Sequence, residues 1–342
     1  MIRLGVICPS EIAYRRFMPA LMQVRGVEFA GIGVSSQEER FGEKPNCGDQ
    51  SNNIIEEERK KAQKFTDKYG GRIFESYREI ACAENIDALY IPLPPALHYM
   101  WANIVLGAGK HVLIEKPATV SAQNTSRLIR LANSRNLAVH ENYMFVYHRQ
   151  LREIERIIQS GEIGEVRLYR ITFGFPKRPG EDFRYNRQLG GGAFLDAGGY
   201  AIKYASQLLG ESSKIKYAQL NYVDGYDVDM YGSGAMTNDA GDTVQIAFGM
   251  DNAYRCELEV WGSEGMLTAS RVLTAPDDFI PTCTIYRQND REVRELPADH
   301  TFKKSIEHFI TCMKSEEIRT ENYRAIMRQA GFVDEFLRLS EG

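Results

Sequence analysis

Apolar runs of strand length recur in the first part of the chain, at residues 4–8, 29–34, 88–91, 111–114 and 138–140. Short runs with little polar alternation are the mark of strands covered on both faces. Between them the apolar positions change to a spacing of three and four, at 12–24, 54–69, 77–83, 97–106 and 121–136, which is the mark of amphipathic helices. The alternation predicts a parallel, doubly wound sheet. After residue 150 the pattern changes. Helices are predicted at 151–159 and 194–209, and strand-length runs at 166–175, 214–223, 243–250, 254–261 and 282–287 follow with turn residues between them, before two helices at 301–314 and 322–339. The fold class is therefore α/β: an N-terminal Rossmann doubly wound parallel sheet over 1–145, then an α+β domain with a large, mainly antiparallel open sheet over 146–342. Between 35 and 53 the pattern dissolves into Gln, Glu, Gly, Pro and Asn, which predicts a surface loop after the second strand.

A chain of 342 residues has room for these two domains. Its formal charge of -4 and lack of a long basic run give no electrostatic reason to expect nucleic acid, so a small molecule is the expected ligand. No stretch approaches the roughly 20 apolar residues of a membrane span, and the expectation is a soluble, cytoplasmic protein. The six cysteines are scattered without a Cys-x-x-Cys pair, which predicts neither a metal site nor a disulfide framework.

The strand at 111–114 runs into Glu115-Lys116-Pro117, which puts Lys116 at the carboxyl end of a parallel strand, where open α/β sheets bind ligands. Further on stands Gly190-Gly191-Gly192-Ala193-Phe194-Leu195-Asp196-Ala197-Gly198-Gly199-Tyr200. Asp196 and Tyr200, four apart on a helix, share a face, and the glycines before them let backbone approach a ligand closely. A tyrosine is a weak base near neutrality, and a lysine ammonium beside it favours the phenolate. Lys116, Tyr200 and Asp196 are therefore the catalytic candidates. After the first strand, Gly5-Val6-Ile7-Cys8-Pro9-Ser10-Glu11-Ile12-Ala13 stands where dinucleotide folds carry three glycines. Cys8 and Ala13 are small, Ser10 can cap the helix, and the helix amides face a phosphate. Gly5, Cys8, Pro9, Ser10, Ile12 and Ala13 are thus nucleotide-binding candidates. After the second strand, Ser35, Ser36 and Arg40 suit a 2′-phosphate and favour NADP; Glu38 or Glu39 would let NAD bind instead.

Together the Glu-Lys-Pro strand end and the triple-glycine helix resemble the glucose-fructose oxidoreductase / inositol dehydrogenase (Gfo/Idh/MocA) family, with the tyrosine form of its active site. The resemblance spans nearly the whole chain. It implies an NAD(P)-dependent oxidoreductase that moves a hydride between nicotinamide and a carbohydrate or sugar-derived ketone or alcohol, with NADP favoured and NAD possible. It further implies that Pro92, Leu93, Pro94, His98, Glu115, Lys116 and Asn142 lie along the cofactor and that Arg184 contacts cofactor or substrate. Phe175, Phe183 and Tyr185 would stack on a sugar. A homo-oligomer through the C-terminal sheet is implied as well. The family also contains NAD-dependent glycoside hydrolases, and a non-enzymatic dinucleotide-binding regulator on this fold is a third class.

Overall fold

The computed structural model describes residues 1–42, 49–180 and 182–341. Strands β1 (Ile2–Val6), β2 (Val27–Gly33), β3 (Arg72–Phe74), β4 (Ala88–Ile91), β5 (His111–Ile114) and β6 (Val139–Glu141) form a sheet of order β3-β2-β1-β4-β5-β6 in which every neighbouring pair is parallel. This is the doubly wound Rossmann order. β4 is buried at every position, which is why it reads as an unbroken apolar run. β3 is too short to leave a pattern, and none was legible.

The helices of this unit are α1 (Met18–Leu21), preceded by a π-helical turn at Ala13–Phe17, then α2 (Gln37–Phe41), α3 (Asp49–Tyr69), α4 (Tyr77–Cys82), α5 (Pro95–Gly107) and α6 (Ala122–Ser134). Where the pattern predicted a loop over 35–53, the chain forms α2 and the start of α3, while 43–48 lie outside the described residues. The reason is local: Ser36 Oγ accepts from the Glu39 amide and the Glu39 carboxylate accepts from the Ser36 amide, a complete capping box.

A second unit contains α7 (Arg149–Gln159), β7 (Val166–Gly174), α8 (Gly199–Leu209), β8 (Lys214–Tyr222), β9 (Asp229–Thr237), β10 (Thr243–Gly249), β11 (Arg255–Gly262), β12 (Met266–Ser270), β13 (Thr282–Arg287) and β14 (Asp290–Glu295). Its sheet has the order β14-β13-β12-β11-β7-β10-β9-β8; β7 and β10 pair parallel, the other pairs antiparallel. The pattern passed over β9, which carries Gly232 and Gly234. A Cβ on Gly232 would lie 2.5 Å from the Phe248 ring and one on Gly234 2.6 Å from that of Phe336, so the missing side chains make room for core aromatics.

The chain closes with α9 (Thr301–Lys314) and α10 (Glu316–Ser340). The first unit comprises Met1–Thr119, Gln123–Asn142 and Phe302–Met327, and the second Val120–Ala122, Tyr143–Thr301 and Arg328–Gly342. α9 from Phe302 and the first part of α10 thus join the first unit. Among the described residues, no helix is long and apolar enough to cross a membrane.

Candidate functional site

In the first unit the sequence-derived candidates gather at the carboxyl ends of β1, β2, β4, β5 and β6, the edge where a doubly wound sheet binds its ligand. After β1, Ser10 caps the following helix: its Oγ accepts from the Ala13 amide at 3.2 Å. Gly5 lies within β1 itself, where a Cβ would meet Leu89 at 2.8 Å and Ile80 at 2.9 Å. Its glycine therefore serves packing rather than a phosphate turn. The chain places Pro9 buried, Ile12 exposed and Cys8 half-buried, and burial, reinforced by Glu58, pushes the Cys8 thiol up to about 12.

At the end of β2 an acid does appear, but it comes from α3. Glu58 Oε2 accepts from Ser35 Oγ at 2.5 Å, and its Oε1 accepts from the Ser35 amide at 3.1 Å and from the Tyr77 hydroxyl at 2.6 Å. The Ser35 hydroxyl is thereby engaged and buried, and the Ser36 hydroxyl caps α2. Glu39 also caps α4 from outside, accepting from the amides of Tyr77 and Arg78 at 3.0 and 2.9 Å, while Arg40 is exposed. Of the three residues expected to receive a 2′-phosphate, Arg40 presents its charge outward.

Past β4, the Pro92-Leu93-Pro94 wall leads into α5, whose His98 has no exposed surface. His98 Nε2 lies 2.7 Å from the Leu93 carbonyl and Nδ1 2.8 Å from that of Pro117, and burial lowers its basicity to about 4. His98, expected beside a cofactor, ties the Leu93 carbonyl to that of Pro117 in the turn that follows Lys116, whose bond to Pro117 is cis. Lys116 and Glu115 are both half-buried. Glu115 Oε1 accepts from the Tyr90 hydroxyl at 2.5 Å and from Asn142 Nδ2 at 2.7 Å. Burial raises this carboxyl's pKa, and those two donors with the Lys116 charge oppose the rise.

In the second unit Arg184 and Asp196, read separately from the sequence, form one ion pair: Nε to Oδ2 is 2.5 Å, with side chains 18% and 12% exposed. Asp182 completes the set at 3.1 Å from Arg184 Nη1 and also takes the Arg184 amide at 3.0 Å. The glycines expected to admit a ligand admit the protein's own atoms. A Cβ on Gly191 would sit 2.4 Å from the Arg184 carbonyl oxygen, and Gly192, at φ +117°, faces Asp229 Oδ1. A π-helical turn, Phe194–Gly198, carries Asp196 into α8. Tyr200, near the start of α8, is 7% exposed and packs edge-on against Tyr143 at 5.1 Å and Phe173 at 5.5 Å, with its hydroxyl 3.9 Å from Met144 Sδ. The aromatics expected to stack on a sugar have protein partners: Phe175 with Phe173 at 5.9 Å, Tyr185 with Tyr226 at 5.2 Å, and Phe183 under the Arg184 guanidinium at 4.6 Å.

Asp229, which no sequence pattern singled out, anchors this helix by accepting from the Phe194 amide at 2.6 Å. Burial raises its carboxyl to about 6. With the folded-state value above the unfolded one, this group contributes stability that is whole below about pH 4 and lost as the pH rises through about 6. Asp229→Asn should remove that component: between about pH 4 and about pH 7, the wild type should lose on the order of 2 kcal/mol more than the variant in urea unfolding. Parallel losses in the two proteins would refute it.

Residues 25–143 match the family described as oxidoreductase family, NAD-binding Rossmann fold, and residues 151–268 match the GFO/IDH/MocA C-terminal domain. The chain is 36% identical to a dTDP-3,4-didehydro-2,6-dideoxy-alpha-D-glucose 3-reductase of Actinomadura kijaniata, over 97% of this chain and 94% of that one. It is 34% identical to the reductase of the same name from Streptomyces violaceoruber, again over 97% and 94%. The crystal structure of a 3-ketoreductase from Actinomadura kijaniata, in complex with NADP and TDP-benzene, matches with a TM-score of 0.87 at 36% identity, covering 97% of this chain and 96% of that one. On the strength of both domains and of relatives matched over nearly their full length, the chain belongs to the GFO/IDH/MocA family of oxidoreductases, with an NAD-binding Rossmann fold in its first half.

Proposed function

We propose that this protein is an NADPH-dependent ketoreductase acting on a carbohydrate-derived ketone, with dTDP-linked 3-keto-sugars as the first substrates to test. The observation that carries this reading is that relatives matched over 97% of the chain are named as reductases of one such dTDP-linked keto-sugar. The related 3-ketoreductase crystallised with NADP supports the cofactor. Variants of that protein with a single lysine or a single tyrosine replaced have also been crystallised, and the two positions are separated by as many residues as Lys116 and Tyr200 are here.

The residues at the strand ends fit a dinucleotide: the helix after β1 offers its first amides beside the Ser10 cap, and Arg40 offers a cation beyond β2. A bound nicotinamide supplies a hydride and no hydroxyl proton, so the proton falls to the protein. In this reading Tyr200 gives that proton to the reduced oxygen, or takes it in the reverse direction. Lys116 polarises the same oxygen and favours the tyrosinate. Asp196, held by Arg184, orients substrate hydroxyls. The exposed Tyr217, Tyr231 and Trp261 stand on the face of the second sheet opposite its buried positions, which supports a homo-oligomer through that sheet; a monomeric mass by light scattering would remove this part.

The test is a titration of wild-type protein and Arg40→Ala with NADPH and NADH, followed by NADPH oxidation with the dTDP-linked 3-keto-sugar. NADPH is expected to bind more tightly than NADH, the variant to lose roughly tenfold in NADPH affinity alone, as for one charge-assisted contact, and the keto-sugar to be reduced. Equal cofactor affinities would end the NADP reading, and no reduction of any keto-sugar by cofactor-loaded protein would end the activity.

A further inference from the structure

Behind Glu115 a line of hydrogen bonds crosses the first unit and joins residues from β6, α9 and α10. Asn322 of α10 donates Nδ2 to the Val139 carbonyl at 2.7 Å, so its Oδ1 faces His140 Nδ1 at 3.1 Å, and a bond there needs a proton on Nδ1. At the other end Asn142 donates Nδ2 to Glu115 Oε1 at 2.7 Å, so its Oδ1 accepts from Ser305 Oγ at 2.7 Å. Ser305 has one hydroxyl proton, and Asn142 receives it. Its lone pair is therefore left facing His140 Nε2 at 2.9 Å, where a bond needs a second proton on the imidazole. His140, Asn142 and Ser305 are 2%, 1% and 0% exposed, so bulk water does not substitute for a missing partner.

The line has one alternative arrangement. If Ser305 turns its proton to His140 Nε2, Asn142 must flip, and its Oδ1 then meets Glu115 Oε1, two acceptors face to face unless Glu115 takes up a proton. The same number of protons serves both arrangements, with the mobile one on His140 or on Glu115. We propose that Ser305 and His140 are positioning residues of the reaction centre, acting through the Asn142 amide to hold Glu115 as a carboxylate beside Lys116. This rests on the reading above that Lys116 is catalytic. Among the described residues, the titratable groups facing the line include Tyr90 and Lys116 at Glu115, and His308, which is hydrogen-bonded to the Asn322 side chain, lies beside Glu321 and has its ring centre 5.4 Å from that of His140.

The test uses the full chain with NADPH bound, and compares wild type, Ser305→Ala and Ser305→Thr. Ser305→Ala frees the amide to flip. Its kcat should fall roughly tenfold to a hundredfold, the scale of a displaced catalytic group, with NADPH affinity unchanged and the acid limb of the pH profile moved to higher pH; Ser305→Thr should restore both. Unchanged kcat and acid limb in Ser305→Ala would overturn the proposal. A second readout needs no turnover. With ¹⁵N-labelled histidine, the His140 resonances of the wild type should show both ring nitrogens protonated near neutral pH, and a singly protonated ring would overturn the proposal even if Ser305→Ala did not fold. Failure of the wild type to reduce any keto-sugar would instead strike the activity, and the His140 resonances would still decide whether the line holds Glu115 charged.

Discussion

Tyr200→Phe is expected to lower kcat by at least about 10²-fold, the usual cost of removing a general acid, while NADPH binds as before. The substitution deletes the hydroxyl and keeps the ring, so the packing against Tyr143, Phe145 and Phe173 survives. Melting temperature should therefore move little, and the loss of rate separates cleanly from any loss of fold. The measurement is steady-state reduction of the keto-sugar beside a fluorescence titration with NADPH. A variant within a few-fold of wild-type turnover would show Tyr200 to be a core aromatic and would leave proton transfer without its donor. A variant that no longer binds NADPH would show that the ring supports the cofactor rather than the chemistry.

Arg184→Ala is expected to cost about 3 kcal/mol in denaturant unfolding, because it takes the guanidinium away from the partly buried carboxylates of Asp182 and Asp196. Arg184→Lys should recover only part of this, since an ammonium cannot offer Nε to Asp196 and a second nitrogen to Asp182 in one plane. Adding Asp196→Asn to Arg184→Ala should regain stability, as one of the two carboxylates that faced the guanidinium is then neutral. A loss under about 1 kcal/mol for Arg184→Ala would place the pair among weak surface bridges, contrary to its burial.

The sequence pattern was most legible where burial is two-sided. β4 and β5 were read with their observed limits, since neither has a solvent face to interrupt its run. The same runs put Glu115, Lys116 and Asn142 at strand ends, where β5 and β6 stop. What the pattern could not carry was which partner each of these groups has. Ser305 reaches Asn142 across 163 residues and Glu58 reaches Ser35 across 23, and no periodicity links such pairs. Arg184 and Asp196 were both singled out, yet as separate contacts for ligands, because an ion pair closed by a loop has no sequence signature. The missed α2 is a different case: Ser36 and Glu39 spell a capping box in plain sequence, and the polar composition around them hid it. β9 was missed because glycine is a poor strand former by propensity, and the rings of Phe248 and Phe336 overrode that preference.

The membership of α9 and the first part of α10 in the first unit bears on how the chain is made. Tyr323 and Ile326 belong to the apolar cluster under the parallel sheet, and Asn322 holds the Val139 carbonyl. When a ribosome has released only the six strands and their connecting helices, that cluster is still open and His140 has neither Asn322 nor Ser305 to bond. The nucleotide-binding unit is then sealed only after most of the second unit has been synthesised. A fragment ending near residue 145 would emerge with an uncovered apolar patch, as a client for chaperones and not as a free-standing dinucleotide-binding domain.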